Sequence, residues 1–177
     1  MDRYRQFKKD LKKEQNDYRQ SIVNNIYHSF SSNVITIDTT NKVLGDIYLK
    51  MQKKGIDKLL INCKPLWEMN IDEKYYNKEL NNNACIYIEL KSHNKVGWLF
   101  DEAKETDKLC FIYNNACILI DYLELREKVL YYYGYLISVY GEKKNKYNQG
   151  SFIPIPIIEL DNMNIEYQVY YFDEYSN

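Results

Sequence analysis

The chain has 177 residues, of which 45% are hydrophobic and 28% are charged. This length and apolar content predict one folded domain over residues 1–177 and argue against a disordered chain. The 24 basic and 25 acidic residues nearly cancel, which leaves a net charge of −1. The composition therefore excludes a general positive field that would draw the whole protein to nucleic acid or to an acidic membrane, and any such contact must come from a local patch.

Features of membrane insertion or export are absent from the sequence. No run approaches 18 apolar residues, and the charged start of the chain is not followed by an apolar segment. We therefore expect a cytoplasmic protein with no membrane partner.

Cysteine and histidine usage narrows the chemistry further. The only histidines are His28 and His93, which argues against zinc hydrolases and most histidine-based general bases. The cysteines lack zinc-site spacing and each lies in an apolar run, so we expect buried, reduced thiols at Cys63, Cys85, Cys110 and Cys117. Any catalysis must therefore use carboxylates and lysines, with or without a metal.

A long amphipathic helix over roughly residues 3–30 is the first predicted element. Its apolar residues recur at steps of three, four or seven, namely Tyr4, Phe7, Leu11, Tyr18, Ile22, Ile26 and Phe30. A Ser-Ser-Asn cluster predicts its end. A short strand is predicted at 34–37, and residues 45–52 fit either a strand or a short helix.

The next two extended segments, 58–62 and 66–74, flank a Lys-Pro turn and predict a β-hairpin. Strand-like runs follow at 84–90, 109–113 and 117–120, so we expect one sheet of about five or six strands.

The C-terminal third predicts a helix followed by an edge strand. The helix runs from Leu123 to Tyr140 and ends at Gly141. Two prolines confine the segment 152–160 to a sheet edge or a bulge, and the remaining acidic tail is expected to be peripheral. The whole chain predicts an α/β (α+β) fold with a mixed central sheet flanked by helices.

The hairpin brings charged residues together. A turn centred on residues 64 and 65 places Asp57 directly opposite Asp72. Because side chains alternate along a strand, Asp72 and Lys74 share a face, whereas Ile71 and Glu73 point to the other face. Two carboxylates and one ammonium are therefore predicted to converge.

Two carboxylates directly opposite each other on neighbouring strands repel each other unless a cation lies between them. Oxygen ligands suit Mg²⁺, for which Mn²⁺ is an expected substitute, and Mg²⁺ commonly completes its coordination with substrate phosphate oxygens. A phosphodiester is thus the expected substrate, and Lys74 would orient the attacking water or offset charge on the phosphorane.

These residues resemble a known family. Gly55-Ile56-Asp57, followed after fourteen residues by Asp72-Glu73-Lys74, resembles the PD-(D/E)xK nuclease superfamily, with Ile56 where proline is common. The resemblance implies a restriction-endonuclease-like αβββαβ core and a Mg²⁺-dependent endonuclease. It also implies that Asp57 and Asp72 are metal ligands, that the carbonyl of Glu73 completes the site, and that Lys74 is catalytic.

Two downstream segments, Gly97-Trp98 and Thr106-Asp107, are similar to a subgroup of that superfamily in which GID, DEK, GW and TD segments follow in this order. The similarity implies accessory roles for Asp46 and Gln52 and a phage, plasmid or defence setting. It does not identify the nucleic acid that is cut, for which we expect DNA rather than RNA. The superfamily usually adds an acid from the first helix, for which Glu14 and Asp17 are both candidates.

Two alternatives stand beside this interpretation. Glu89-Leu90-Lys91 also reads ExK, but pairing it with Asp57 would need a turn at residue 73, inside a strand-like run. We therefore favour Asp72 and Lys74 and retain Glu89 as an accessory residue. The functional alternative is a catalytically inactive nuclease-fold protein that binds or inhibits a protein partner, and the tyrosine-rich surface also suits a homodimer.

Overall fold

The computed structural model of this chain describes residues 2–40, 46–63, 66–92, 95–145 and 150–175, with the side chains of 2–14 and 46–48 left aside. In these ranges no helix is long and apolar enough to cross a membrane.

Helices and strands alternate irregularly along the chain. The helices are α1 (Asp2–Ser29), α2 (Asp46–Lys53), α3 (Tyr122–Tyr131), α4 (Tyr133–Tyr140) and α5 (Ile157–Asn162). The strands are β1 (Val34–Asp38), β2 (Lys58–Cys63), β3 (Leu66–Tyr75), β4 (Cys85–Ser92), β5 (Lys95–Val96), β6 (Lys108–Ile112), β7 (Ala116–Asp121), β8 (Lys143–Lys144), β9 (Ser151–Pro156) and β10 (Tyr167–Tyr171).

The larger sheet has six strands in the order β1-β2-β3-β6-β7-β10. All its neighbours are antiparallel except β3 and β6, which run parallel. A smaller antiparallel sheet has the order β5-β4-β9-β8. The predicted α+β class with a mixed sheet is confirmed. The second sheet is an addition that the sequence did not predict, and it covers the face of the larger sheet that α1 leaves open.

Helix α1 covers one face of the larger sheet, as its apolar periodicity predicts. Ile22, Val23, Ile26 and Tyr27 are buried there against residues of β2, β3, β6 and β7. The predicted apolar position Tyr18 is instead 58% exposed. This packing fixes α1 beside the carboxyl end of β3.

A second core fills the space between the two sheets. Ile86 and Ile88 of β4 and Ile153 of β9 are buried with Leu109 and Phe111 of β6. Helices α3 and α4 contribute to the same cluster. The opposite face of β3 from α1 therefore looks toward the smaller sheet.

Several predicted boundaries need correction. The helix predicted over 123–140 is two helices that meet at Tyr132, and the ambiguous segment 45–52 forms α2. The tail is not peripheral, since β10 pairs with β7 and Phe172 is buried. Cys63 is exposed and Cys85 is intermediate, so only two of the cysteines are buried thiols.

The connection from β3 to β6 differs from the implied αβββαβ order. That order places a helix between the two parallel strands, whereas β4 and β5 occupy this connection here. Its described residues, 76–92 and 95–107, contain no helix. The structure thus has the mixed α+β class, with a β3–β6 connection that departs from the implied core.

Candidate active site

The β2–β3 hairpin positions the candidate residues. Lys58 pairs with Ile71 and Cys63 with Leu66, which is the register that the sequence predicts. The N–H of Asp57, directly before β2, donates to the carbonyl of Ile71 at 2.7 Å. Strand β3 continues past this point to Tyr75 and pairs there with β6. Its last residues therefore project beyond the start of β2, and Asp57 lies at this step in the sheet.

The carboxylate of Asp57 is held from two sides. Its Oδ2 accepts the backbone N–H of Glu73 at 2.8 Å, and its Oδ1 accepts from Gln52 Nε2 at 3.3 Å. The same Gln52 amide donates to the carbonyl of Ile56 at 3.0 Å. The predicted accessory residue Gln52 thus contacts Asp57 directly. The side chain of Asp46, at the start of α2, lies outside the described residues.

The backbone before Asp57 follows a tight path. Gly55 has φ of +72°, a left-handed conformation that favours glycine. Its carbonyl accepts from Thr106 Oγ1 at 2.8 Å, and Thr106 is buried. Asp107 Oδ2 accepts the N–H of Asn70 at 2.7 Å, which ties the same segment to β3. The GID and TD segments therefore meet in space, where they fix the position of Asp57.

Asp72 and Lys74 form an ion pair on the face of β3 that looks toward the smaller sheet. The Asp72 side chain is only 4% exposed and that of Lys74 is 25% exposed. Burial raises the pKa of Asp72 to about 6. The charges of Lys74 and Lys104 oppose this rise, and the charge of Asp57 adds to it. Asp57 and Asp72 thus lie within electrostatic reach of each other.

Glu73 lies on the opposite face, as the alternation along β3 predicts. Its carboxylate accepts from Tyr27 Oη at 3.0 Å, from Tyr75 Oη at 3.1 Å and from Gln20 Nε2 at 3.4 Å. Burial raises its pKa, and the charge of buried Lys58 lowers it. Glu73 therefore contributes its backbone N–H to Asp57, while its side chain binds α1.

Trp98 packs against the candidate lysine. Lys74 Nζ lies 5.1 Å from the centre of the Trp98 ring, within the range of a cation–π contact. The preceding Gly97 donates its N–H to the carbonyl of Leu90 at 2.9 Å. A Cβ at Gly97 would overlap the backbone carbonyl of Glu89. The GW segment needs glycine for this close approach, which brings Trp98 to Lys74.

The alternative ExK segment is divided between two cavities. Glu89 lines a cavity of about 410 Å³ together with Lys74 and Trp98. Lys91 lies in a different cavity, beside Phe100. Glu89 belongs to β4 of the smaller sheet, which is not hydrogen-bonded to β3. It shares a cavity with Lys74, whereas Lys91 does not.

One of the two candidate acids of α1 lies on the α1 side of β3. Asp17 lines a cavity of about 410 Å³ with Asp57 and Glu73. The side chain of Glu14 lies outside the described residues. Asp17 therefore shares a cavity with Asp57 rather than with Lys74.

Lys104 is a neighbour that sequence reasoning missed. Its side chain occupies the space where Gly55 would carry a Cβ, and its charge lowers the pKa of Asp72. It lies 32 positions beyond Asp72 in a region without regular structure, so no local pattern could associate it with the site.

The donor set fits a hard divalent cation in its chemistry. Asp57 and Asp72 could supply carboxylate oxygens, and Mg²⁺ commonly takes one or two carboxylates and keeps several waters. Across the described ranges, no three side chains of the types His, Cys, Asp and Glu form a group suited to a metal ion. Any metal here would thus rely on two protein carboxylates, with water and substrate oxygens as the other ligands.

Comparisons with known protein families, proteins and structures found no match. No protein-family model, no curated protein and no solved structure matches this chain.

Proposed function

We propose that this protein is a metal-dependent endonuclease that hydrolyses phosphodiester bonds of nucleic acid. The observation that carries the proposal is the buried ion pair between Asp72 and Lys74, beside the carboxylate of Asp57 that is bound to the N–H of Glu73. The PD-(D/E)xK resemblance implies a site of two acids and one lysine. The ion pair of Asp72 with Lys74 and the effect of the Asp57 charge on the pKa of Asp72 support this proposal. DNA as substrate and a cytoplasmic location belong to the same proposal.

In this proposal Asp57 and Asp72 hold Mg²⁺ or Mn²⁺. A bound divalent ion would polarise the phosphoryl group and lower the pKa of a bound water. The pKa of Asp72, about 6, leaves this carboxylate mainly ionised at neutral pH. Its negative charge, poorly solvated and close to Asp57, favours the uptake of a cation.

Lys74 has the position of a charge-stabilising group. Its ammonium remains partly exposed between Asp72 and the ring of Trp98. An ammonium at this point can donate to a phosphate oxygen and offset the charge that builds up in the transition state. Gln52 and Glu73 act as positioning residues in this scheme, because they bind the carboxylate of Asp57 through an amide and a backbone N–H. Glu89 stays an accessory residue beside Lys74, and Asp46 an accessory residue of α2.

A cleavage panel tests the proposal. Labelled single-stranded DNA, duplex DNA, single-stranded RNA and supercoiled plasmid are incubated with the protein in Mg²⁺, Mn²⁺ or EDTA. We expect metal-dependent cleavage that Asp57→Asn abolishes. Asp173→Asn, at an exposed aspartate of the C-terminal turn, is the matched control and should cleave like the wild type.

An intact, folded protein that cleaves none of these substrates in either metal would overturn the proposal. It would favour the alternative of a binding or inhibitor protein. The homodimer expectation is separate, and light scattering during gel filtration tests it.

A further inference from the structure

The cavity beside Lys74 is lined by aromatic rings. Its volume is about 410 Å³, within the range of small-ligand sites. Trp98 and Phe152, which are far apart in the sequence, are both half-buried and contribute their rings to this cavity. Tyr87 packs edge-on against Phe152, with ring centres 5.3 Å apart. We call this cavity the aromatic cleft; its lining residues are Glu73, Lys74, Tyr75, Tyr76, Tyr87, Glu89, Trp98, Asn145, Ser151 and Phe152.

Among the described residues, one buried polar group of the aromatic cleft has no hydrogen-bond partner. Ser151 is only 6% exposed, and its Oγ has no hydrogen-bond partner within the described part of the chain. A buried hydroxyl without a partner costs free energy, so such groups are uncommon in folded proteins. A ligand with a polar edge would satisfy it. The carboxylate of Glu89, in the same cleft, adds an acceptor for N–H groups.

The cleft is continuous with the proposed catalytic lysine. Lys74 lines it and lies against the ring of Trp98. A ligand that fills the cleft would thus carry an anionic group near Lys74, an aromatic face toward Trp98 or Phe152, and a hydrogen-bonding edge toward Ser151 and Glu89. A nucleotide has these three features together.

We propose that the aromatic cleft binds one unstacked nucleobase, so that the substrate is nucleic acid with an unpaired strand. This inference rests on the proposed nuclease function and adds the substrate class to it. In a duplex each base is stacked on both sides and cannot offer its face to a protein ring. Single strands stack readily on aromatic side chains, with little dependence on sequence.

Binding without catalysis tests this inference. Fluorescein-labelled 15-nucleotide single strands of DNA and of RNA, and the DNA duplex of the same sequence, are titrated with the protein in EDTA. Anisotropy gives each Kd. We expect the single strands to bind at least about tenfold more tightly than the duplex. The two single-stranded arms show which sugar the cleft accepts.

Substitutions locate the binding. Trp98→Leu and Phe152→Leu should each weaken single-strand binding about tenfold or more, since stacking is lost while apolar packing is largely kept. Tyr131→Leu is the matched control, because Tyr131 is 81% exposed and does not line the cleft. Its Kd should equal that of the wild type.

Ser151→Ala keeps the test decisive if the larger changes impair folding. Removing an unpartnered hydroxyl should leave the midpoint of thermal unfolding unchanged or higher, while it weakens single-strand binding. Equal affinity for single strand and duplex would overturn the inference. It would also be overturned if Ser151→Ala and a folded Phe152→Leu protein both bound the single strand as tightly as the wild type. Because no metal is present, the result is independent of cleavage: binding without hydrolysis would count against the nuclease proposal alone.

Discussion

The carboxylate of Asp57 accepts the backbone N–H of Glu73 at 2.8 Å. This bond joins the residue before β2 to the part of β3 that extends past it. It leaves the Glu73 side chain on the α1 side and places Asp72 and Lys74 on the side of the smaller sheet. The position of Asp57 therefore depends on the loop that leads into β2, and changes in that loop should alter the site.

Gly55→Ala is expected to destabilise the protein by about 1–2 kcal/mol, because its φ of +72° strains a residue with a Cβ and because Lys104 must also move. Urea unfolding measures the loss. Gly134→Ala is the matched control: a Cβ there meets nothing within 4 Å, in helix α4. Alanine should be neutral or stabilising at 134. Equal effects at both positions would contradict the role of Gly55.

Gly97→Ala is expected to cost about 1–3 kcal/mol, since the added Cβ overlaps the backbone carbonyl of Glu89, and backbone cannot move aside as a side chain can. The shift should also displace Trp98 from Lys74. Tryptophan fluorescence and thermal unfolding together report the change. A variant with wild-type stability and an unchanged emission spectrum would show that the close approach is unimportant.

Tyr27→Phe should destabilise the protein by about 1.5–3 kcal/mol, because it removes a hydrogen bond to the buried carboxylate of Glu73. The effect should shrink when Glu73→Gln is also present, which a double-mutant cycle measures. Tyr131→Phe, at a highly exposed position, is the control and should be neutral. An undiminished effect of Tyr27→Phe in the double variant would mean that Tyr27 acts without the Glu73 carboxylate.

The stability of the metal-free protein should depend on pH through Asp72. Burial raises its pKa from 3.8 to about 6 in the folded state. Folding therefore favours the protonated acid. The stability that protonated Asp72 contributes is fully present below pH 3.8 and is lost as the pH rises through 6. Asp72→Asn removes the ionisation and should gain up to about 3 kcal/mol relative to wild type between pH 4 and pH 8.

Urea unfolding in EDTA across this pH range measures that difference. Glu73 has a raised pKa as well, so the comparison between Asp72→Asn and wild type isolates the contribution of Asp72. A difference that stays constant with pH would contradict the buried position of Asp72.

Local patterns predicted the parts of the structure that depend on neighbours in sequence. The Lys64-Pro65 sequence and the alternation along β3 predicted the register of the hairpin and the face shared by Asp72 and Lys74. Periodicity gave α1. These features follow from the geometry of one helix or one hairpin, so they need no knowledge of the rest of the fold.

The remaining features depend on long-range pairing. The smaller sheet pairs Cys85 with Pro156, and no local signal specifies such a partner. The prediction for the two prolines was sound in part: among the described residues, β8 pairs with Ser151 and Phe152, and Pro154 and Pro156 lie beyond it. Residues 157–160, which were predicted as extended, instead belong to helix α5. The aromatic cleft requires both sheets, and hence could not be derived from the motifs.

The rates of metal-dependent cleavage by Lys74→Met and Lys91→Met, compared with wild type on one labelled single strand, test the central claim most directly. We predict a loss of about a hundredfold or more for Lys74→Met, because a group that stabilises the transition state is removed. Lys91→Met should cleave at the wild-type rate, since Lys91 lies in a different cavity. Undiminished cleavage by a folded Lys74→Met protein would contradict the account.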